Sequence, residues 1–412
     1  MNLSAYSQQV YKDSLRISLS QADKRFLDNN LLLLAGRYGI EASQAQIIQA
    51  GLYDNTTLYV EQNVYNQFTG RYFDVTSSGE TIVQIQQLIY LAGKRNKRIR
   101  LEQINSKVAE HEFFDLIRTL KYELRLNMVE LFFLQRSDLM YQDEIAAMRQ
   151  TVQLYQAQYE RGNVSLKEVI RLKAFLFDLE NERKDLLSEI SERVANLQIL
   201  LRDTSFSYII PEISIDETDR IAVNNLSLNQ LIDTARVNRH DLKIYETNIN
   251  YEEANLAYQK ALAVPDMYLG GVWDRMGNYI PNYFAVNVQI DIPAFNRNQG
   301  NIKAAKSRVR RSKAIKDEYE TRVEAEVAMA FNKAIEYDNL YKNFDNRFAG
   351  DFDRLIEGII TSYGKRNISL LEFIDFYQSY KNTVIQMNQL QTNRMAAFEE
   401  LNFYTGKSTL NY

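Results

Sequence analysis

From Lys94 to Arg161 the chain reads KRNKRIRLEQINSKVAEHEFFDLIRTLKYELRLNMVELFFLQRSDLMYQDEIAAMRQTVQLYQAQYER, 68 residues without a glycine or a proline. A run of that length with no breaker predicts one helix, and at about 1.5 Å per residue it would extend for roughly 100 Å. Steps of four and three from Phe113 pass through Ile117, Leu120, Leu124, Asn127, Leu131, Leu134, Asp138, Tyr141, Ile145, Met148, Val152, Tyr155 and Tyr159. All but Asn127 and Asp138 are apolar or aromatic, a 3.5-residue period that predicts a coiled-coil seam. A second seam runs through Val323, Val327, Ala330, Ala334, Tyr337, Tyr341, Phe344 and Phe348.

Working outward, the breakers collect in two islands. The whole chain has only 15 Gly and 4 Pro in 412 residues. Gly51, Gly70, Gly79 and Gly93 fall in one window, and Pro265, Gly270, Gly271, Gly277, Pro281, Pro293 and Gly300 in another. Inside the islands the apolar period drops to two, the period of a strand. Phe284, Val286, Val288, Ile290 and Ile292 alternate with Tyr283, Ala285, Asn287, Gln289 and Asp291. Leu58 to Phe68 alternates more loosely, and Thr81 to Ile89 and Met267 to Trp273 complete four predicted strands. Each is about the length that crosses a tilted bilayer. Four strands cannot close a barrel and lipid does not tolerate open edges, so a membrane barrel would have to be shared by several chains. A half-buried sheet in a soluble protein is the other reading of the same alternation.

The islands and seams occur twice because the sequence is duplicated. Tyr159, Arg161, Asn163, Val164, Ser165, Leu166 and Glu168 recur 204 positions later as Tyr363, Lys365, Asn367, Ile368, Ser369, Leu370 and Glu372. Farther upstream the offset is 209, pairing Ser18, Gln21, Leu33, Ala45 and Tyr59 with Ser227, Gln230, Leu242, Ala254 and Tyr268. The predicted organisation is a first repeat over 17–204, a linker or small strand over 205–225 with Pro211 and alternating Ile213 and Ile215, a second repeat over 226–406 and a tail over 407–412. Each repeat reads helix, strand pair, long helix, tight turn, returning helix. At the first turn Gly162 supplies the left-handed residue, and Ser165 with Glu168, like Ser369 with Glu372, has the spacing of a capping box.

Composition excludes several functions. With Lys+Arg 49 against Asp+Glu 53 the net charge is −4, which offers no general attraction for nucleic acid. There is no Cys, and His111 and His240 are the two histidines. Thiol chemistry, disulfides, zinc fingers and a His-rich metal centre are therefore excluded; a metal site could only be carboxylate-built, and none is expected. The nine Met are scattered, and no phosphate loop, nucleophile elbow or HExxH motif is present. No enzyme activity and no cofactor are expected. The two histidines read as surface or helix-packing residues.

The repeat order, with Gln87-Leu88-Ile89-Tyr90-Leu91-Ala92-Gly93-Lys94-Arg95 and Arg98-Ile99 at one junction, Ile292-Pro293-Ala294-Phe295-Asn296-Arg297 at the other, and Tyr159-Glu160-Arg161-Gly162-Asn163-Val164-Ser165-Leu166 at the tip, resembles the TolC-type outer-membrane efflux factors. The first junction is similar to the CzcC and CusC branch. The resemblance implies a mainly α fold with membrane β structure, in which four strands per chain join a trimeric twelve-stranded barrel above a helical tunnel in the periplasm. It implies a homotrimer in the outer membrane of a Gram-negative bacterium, conducting substrates in a tripartite efflux or type I secretion system. Its partners would be a periplasmic adaptor, an inner-membrane pump and outer-membrane lipid. Cargo stays open among metal cations, drugs and secreted protein, and a coiled-coil scaffold without transport activity is the alternative reading.

The resemblance also distributes roles. Tyr363, Glu372 and Asp375 would ring the pore entrance, with Leu370, Phe373 and Phe376 buried behind the acids. Arg161, Gly162, Asn163, Ser165, Lys365, Arg366, Asn367 and Ser369 would form the adaptor-docking tips. The family's nearby arginine position is Ile368 here, so Lys365 or Arg366 is expected to pair with Glu168 of a neighbouring hairpin. Lys94, Arg95, Lys97, Arg98 and Arg100 read as an anchor in lipid headgroups. Aromatic residues (Trp273, Tyr268, Tyr279 and Tyr283; Tyr53, Tyr59, Tyr65 and Tyr72) flank the strands, and 69–79 and 274–282 would be external loops. The N terminus lacks a signal-peptide pattern, as expected of a chain whose leader has been removed, and without Cys no N-terminal lipid anchor is expected.

Overall fold

The computed structural model describes residues 13–276, 280–343, 358–359, 362–363, 365 and 367–410. In chain order the elements are β1 (Ser14–Ser18), α1 (Leu19–Asn29), α2 (Leu31–Gly51), β2 (Thr57–Gln62), β3 (Tyr65–Asn66), β4 (Arg71–Tyr72), β5 (Thr81–Ile89), α3 (Lys94–Glu160) and α4 (Leu166–Leu200), and then β6 (Tyr208–Glu212), α5 (Ile215–Asp219), α6 (Leu228–Asn238), α7 (His240–Leu262), β7 (Met267–Asp274), β8 (Tyr283–Ile290), α8 (Gln299–Asn343) and α9 (Leu370–Thr405). The order strand, helix, helix, strand pair, long helix, returning helix occurs twice. Helix α3 is unbroken for 67 residues. Of the expected residues, Phe344, Phe348, Arg366 and Tyr279 lie outside the described set.

The chain forms two compact units, and both repeats contribute to each. One contains residues 1–35, 114–239 and 321–412; the other contains 36–113 and 240–320. In the first, Leu120, Leu124, Leu131, Tyr141, Ile145 and Met148 of the first seam are buried. Val323, Val327, Ala330, Ala334 and Tyr341 of the second are buried too. Helix α4 starts at a complete capping box, with Ser165 accepting from the Glu168 amide and the Glu168 carboxylate accepting from the Ser165 amide. Helix α9 begins with the same device built from Ser369 and Glu372. These caps satisfy amides that the first helical turn leaves without partners.

The linker holds a small strand, as its alternation suggests, and a short helix besides. Strand β6 pairs in parallel with β1, placing Ile17 opposite Pro211, and ends at Glu212 rather than continuing through Ile213 and Ile215. Ile215 opens α5 instead. Arg394 of α9, 2% exposed, holds this segment to the helices. Its guanidinium donates to Asp338 at 2.9 Å and Asp219 at 2.7 Å, and lies 4.3 Å over the Tyr341 ring. Asp338 is fully buried, and its charge is compensated by this arginine together with Lys342, 2.8 Å from its other oxygen.

In the second unit, the sheet order is β2-β5-β7-β8, antiparallel throughout. The expected strand from Leu58 to Phe68 ends at Gln62; the residues beyond it turn back as the short hairpin of β3 and β4. Asp74 organises that turn, accepting from Thr69 Oγ1 and Thr76 Oγ1, each at 2.6 Å, from the Thr76 amide at 3.0 Å and from Asn66 at 3.1 Å. These hydrogen bonds, Thr69 first and Thr76 next, hold its carboxyl at about 2.

Candidate functional site

The register sorts the sheet's side chains onto two faces. Val60, Val83, Trp273 and Phe284 form one cross-strand row, and Leu58, Ile85, Gly271 and Val286 the next. Leu269 with Val288 and Met267 with Ile290 continue the same face, on which Gln62, Thr81 and Gln87 are the polar side chains among the paired positions. The opposite face is mixed, carrying Tyr59, Glu61, Gln84, Gln86, Tyr268, Asp274, Asn287 and Gln289 with Ile82, Leu88, Val272 and Ala285 among them. Phe284 and Val286 are 76% and 78% exposed. An apolar face this continuous, left in the open, marks a surface that another apolar phase or molecule covers. With strands of six to nine residues, it approaches the roughly 25 Å apolar band of a membrane barrel. Among the described residues neither edge strand, β2 or β8, has a second partner.

Where the sheet passes into α3, Ala92 and Gly93 both take positive φ, +54° and +64°, so the expected glycine marks a real change of direction. The basic cluster there has a role different from lipid anchoring. Lys94 is buried and pairs with Asp266 at 2.7 Å, while Lys97 donates to the Ala92 carbonyl at 2.6 Å. Arg95 donates to the Gly51 carbonyl at 2.6 Å, and Arg98 to those of Ala50 and Leu52, each at 3.0 Å. Carbonyls at the end of α2 have no intrahelical partner, and these guanidinium groups satisfy them. Of the five cations, Arg100 is the exposed one without such a bond among the described residues.

At the far end of α3 the turn at Gly162 has φ +72°, as its sequence requires. Arg161, Gly162, Asn163, Ser165, Lys365, Asn367 and Ser369 are exposed there. The Glu168 carboxylate is occupied by the Ser165 amide at 2.9 Å, and among the described residues no ion pair joins it to Lys365. Tyr363 is placed in the core: 4% exposed, it stacks between Tyr155 at 4.8 Å and Phe373 at 4.2 Å. Burial, with lesser contributions from Tyr155 and Glu168, pushes its hydroxyl well above the ordinary tyrosine value.

Glu372 and Asp375 are both exposed on α9, three residues apart on one face. The expected burial behind them holds for Leu370 and Phe373; Phe376 is 41% exposed. Tyr377 takes the buried place, because 370, 373 and 377 follow the seam spacing and 376 lies a quarter-turn away. The Glu372 carboxyl lies below its ordinary value, because it accepts from the Ser369 amide. The cap favours the charged form.

Deeper in the same bundle is a group sequence reasoning missed. Glu144 of α3 is 4% exposed, and neither carboxylate oxygen has a hydrogen-bond partner among the described residues. Lys381, also buried, donates instead to both oxygens of Glu182 at 2.8 and 2.7 Å, and Tyr141 donates to Glu182 at 3.0 Å. Burial pushes the Glu144 carboxyl up to about 8, with Lys381 opposing and Glu182 adding to the rise. The chain's two histidines, 129 positions apart, also meet: His111 Nδ1 lies 3.2 Å from His240 Nδ1. Among the described residues no group of three or more His, Cys, Asp or Glu side chains is arranged to hold a metal ion.

Among the described residues no helix is long and apolar enough to cross a membrane. No protein-family model and no curated protein matches the sequence. Solved structures do match its fold. The outer-membrane channel OprN superposes with a TM-score of 0.75 at 15% identity, over 94% of this chain and 89% of that one. CusC, described in terms of folding and transmembrane channel formation, gives 0.74 at 17% over 94% and 92%. The outer membrane protein VceC of Vibrio cholerae gives 0.73 at 16% over 94% and 96%. The fold is that of the TolC-type outer-membrane channels.

Proposed function

We propose that the chain is one subunit of a homotrimeric outer-membrane channel of a Gram-negative bacterium, passing substrates outward from a periplasmic adaptor and an inner-membrane pump. The two-faced sheet carries this reading. With four antiparallel strands per chain, β8 of one copy meets β2 of the next antiparallel, so three copies close twelve strands with no edge left in lipid. The apolar face then turns to the bilayer and the Gln, Asn, Tyr and Glu face to the lumen. Arg161, Asn163, Lys365, Arg366 and Asn367 are assigned to adaptor docking, with Gly162, Ser165 and Ser369 shaping the turns that present them. Glu372 and Asp375 are assigned to the entrance, where three copies would bring six carboxylates to one ring and favour cations. Tyr363 serves that entrance from beneath, as packing that fixes the start of α9. Cross-linking and native mass measurement in detergent test the assembly: a trimer is expected, and a stable monomer carrying all four strands overturns it.

A further inference from the structure

His111 and His240 are the only two histidines in 412 residues, and both are brought to one point. His111 lies on α3 and His240 opens α7, and their rings are 5.4 Å apart, tilted by 46°. Both are partly buried. As neutral imidazoles they can share one proton, Nδ1–H to Nδ1. The same separation suits a different ligand, because two nitrogens bound at about 2.0–2.1 Å to one ion, at an angle of roughly 100°, stand about 3.2 Å apart.

We propose that the His111–His240 pair is a binding site for a first-row divalent transition-metal ion, held by the two Nδ1 atoms with water completing its shell. A modest turn of each ring about its Cβ–Cγ bond converges both lone pairs on the ion, and the shared proton moves to Nε2, so no net proton is released from the neutral pair. Imidazole selects copper, nickel and zinc over calcium and magnesium, and the Irving–Williams order puts Cu²⁺ first. The surrounding charges permit a cation. Lys107 and Glu110 on α3 and Lys243 and Glu246 on α7 act on His111, two of each sign. Burial, with Lys243 next, holds its imidazole below the ordinary value, so it stays neutral and able to ligate down to lower pH than a free histidine. The site does not depend on the channel reading, since both ligands belong to a single chain.

The test uses the full chain in detergent, titrated with Cu²⁺, Ni²⁺ or Zn²⁺ alone. Calorimetry should give one saturable site per chain for Cu²⁺, and its electron paramagnetic resonance spectrum should carry splitting from two imidazole nitrogens. His111→Asn and His240→Asn should each weaken binding by at least the roughly tenfold that even outer-shell losses cost, and the double variant should remove the nitrogen splitting. Affinity should fall as pH drops through the imidazole range, since a protonated ring cannot ligate. A parent protein without saturable binding, a spectrum without imidazole nitrogens, or binding equal in the double variant would each overturn the proposal. The parent spectrum requires no variant to fold.

Discussion

Replacing Glu144 by Gln should stabilise the protein at neutral and alkaline pH and leave it unchanged in acid. The unfolded carboxyl titrates near the ordinary 4.5, whereas the folded one holds its proton to about 8. Between those values the folded state binds more protons than the unfolded state, so stability is lost as pH rises through this window. At about pH 7 the folded carboxyl is still neutral while the unfolded one has ionised, 2.5 units above its own value, and at 1.36 kcal/mol per unit the penalty is about 3 kcal/mol. Above the folded value it approaches about 5 kcal/mol. Gln keeps the shape and polarity of the protonated acid but cannot ionise, so it removes the penalty while burying a similar unpartnered group. The assay is urea-induced loss of helical circular dichroism at a series of pH values. The parent should weaken from about pH 5 to about pH 8 by more than the variant does. Equal pH slopes in the two proteins would refute the assignment, as would a variant that is weaker than the parent at about pH 8.

Replacing both Glu372 and Asp375 by Ala should reduce cation preference in single-channel recordings; in the parent that preference should persist as pH falls until Glu372 is protonated, below its ordinary value because the cap stabilises the anion, and a double variant with unchanged selectivity would remove these acids from the entrance. Arg161→Glu and Lys365→Glu should each cut export in cells while detergent-extracted trimer levels stay constant, and unchanged export would mean the tips do not dock the adaptor. On β8, Val286→Arg should reduce assembled protein in the membrane, by about 2–4 kcal/mol if the residue lies at the bilayer midplane, whereas Asn287→Arg on the opposite face should be tolerated. Arg394→Met removes the guanidinium from Asp338 and Asp219, leaving Lys342 as the remaining cation on Asp338, and should destabilise in urea unfolding by less than the about 3–5 kcal/mol of a fully unpaired buried charge; an unchanged midpoint would refute the role given to Arg394.

The elements were legible where one period ran long enough to speak for itself. The breaker-free run gave α3 to within a residue, the alternation gave β5 its bounds, and the serine caps marked the starts of α4 and α9. What stayed hidden depends on residues distant in sequence. Lys94, Arg95 and Arg98 look like a solvated basic patch until Asp266 and the end of α2 are placed beside them. His111 and His240 carry no common pattern, and Glu144 sits where a polar residue on a helix ordinarily reads as surface. Phe376 was misplaced because bulk was allowed to outweigh phase: its angle on the helix puts it outside the stripe of Leu370, Phe373 and Tyr377. Strand β1 carries no pattern of its own, because its partner, β6, lies far along the chain in the linker.

The junction of β5 with β7 imposes an order on how the sheet is made. Strands β7 and β8 are separated by eight residues, Arg275 to Asn282, whereas β5 ends at Ile89 and β7 begins at Met267, a separation of 178 positions. Loop closure scales as 1.5RT ln n, so joining the two halves costs about 3 kcal/mol more chain entropy than folding the β7–β8 hairpin. Each hairpin can form early and alone, but a two-stranded hairpin is marginal in water. The halves of the lipid-seeking surface must therefore wait for one another while the long helical hairpin between them, built from local contacts, is already formed. Synthesis delivers the first half before the second, so for an interval β2 and β5 form an oily ribbon that lacks its mate. An escort that shields β2 and β5 during that interval would act on folding yield rather than on the finished channel.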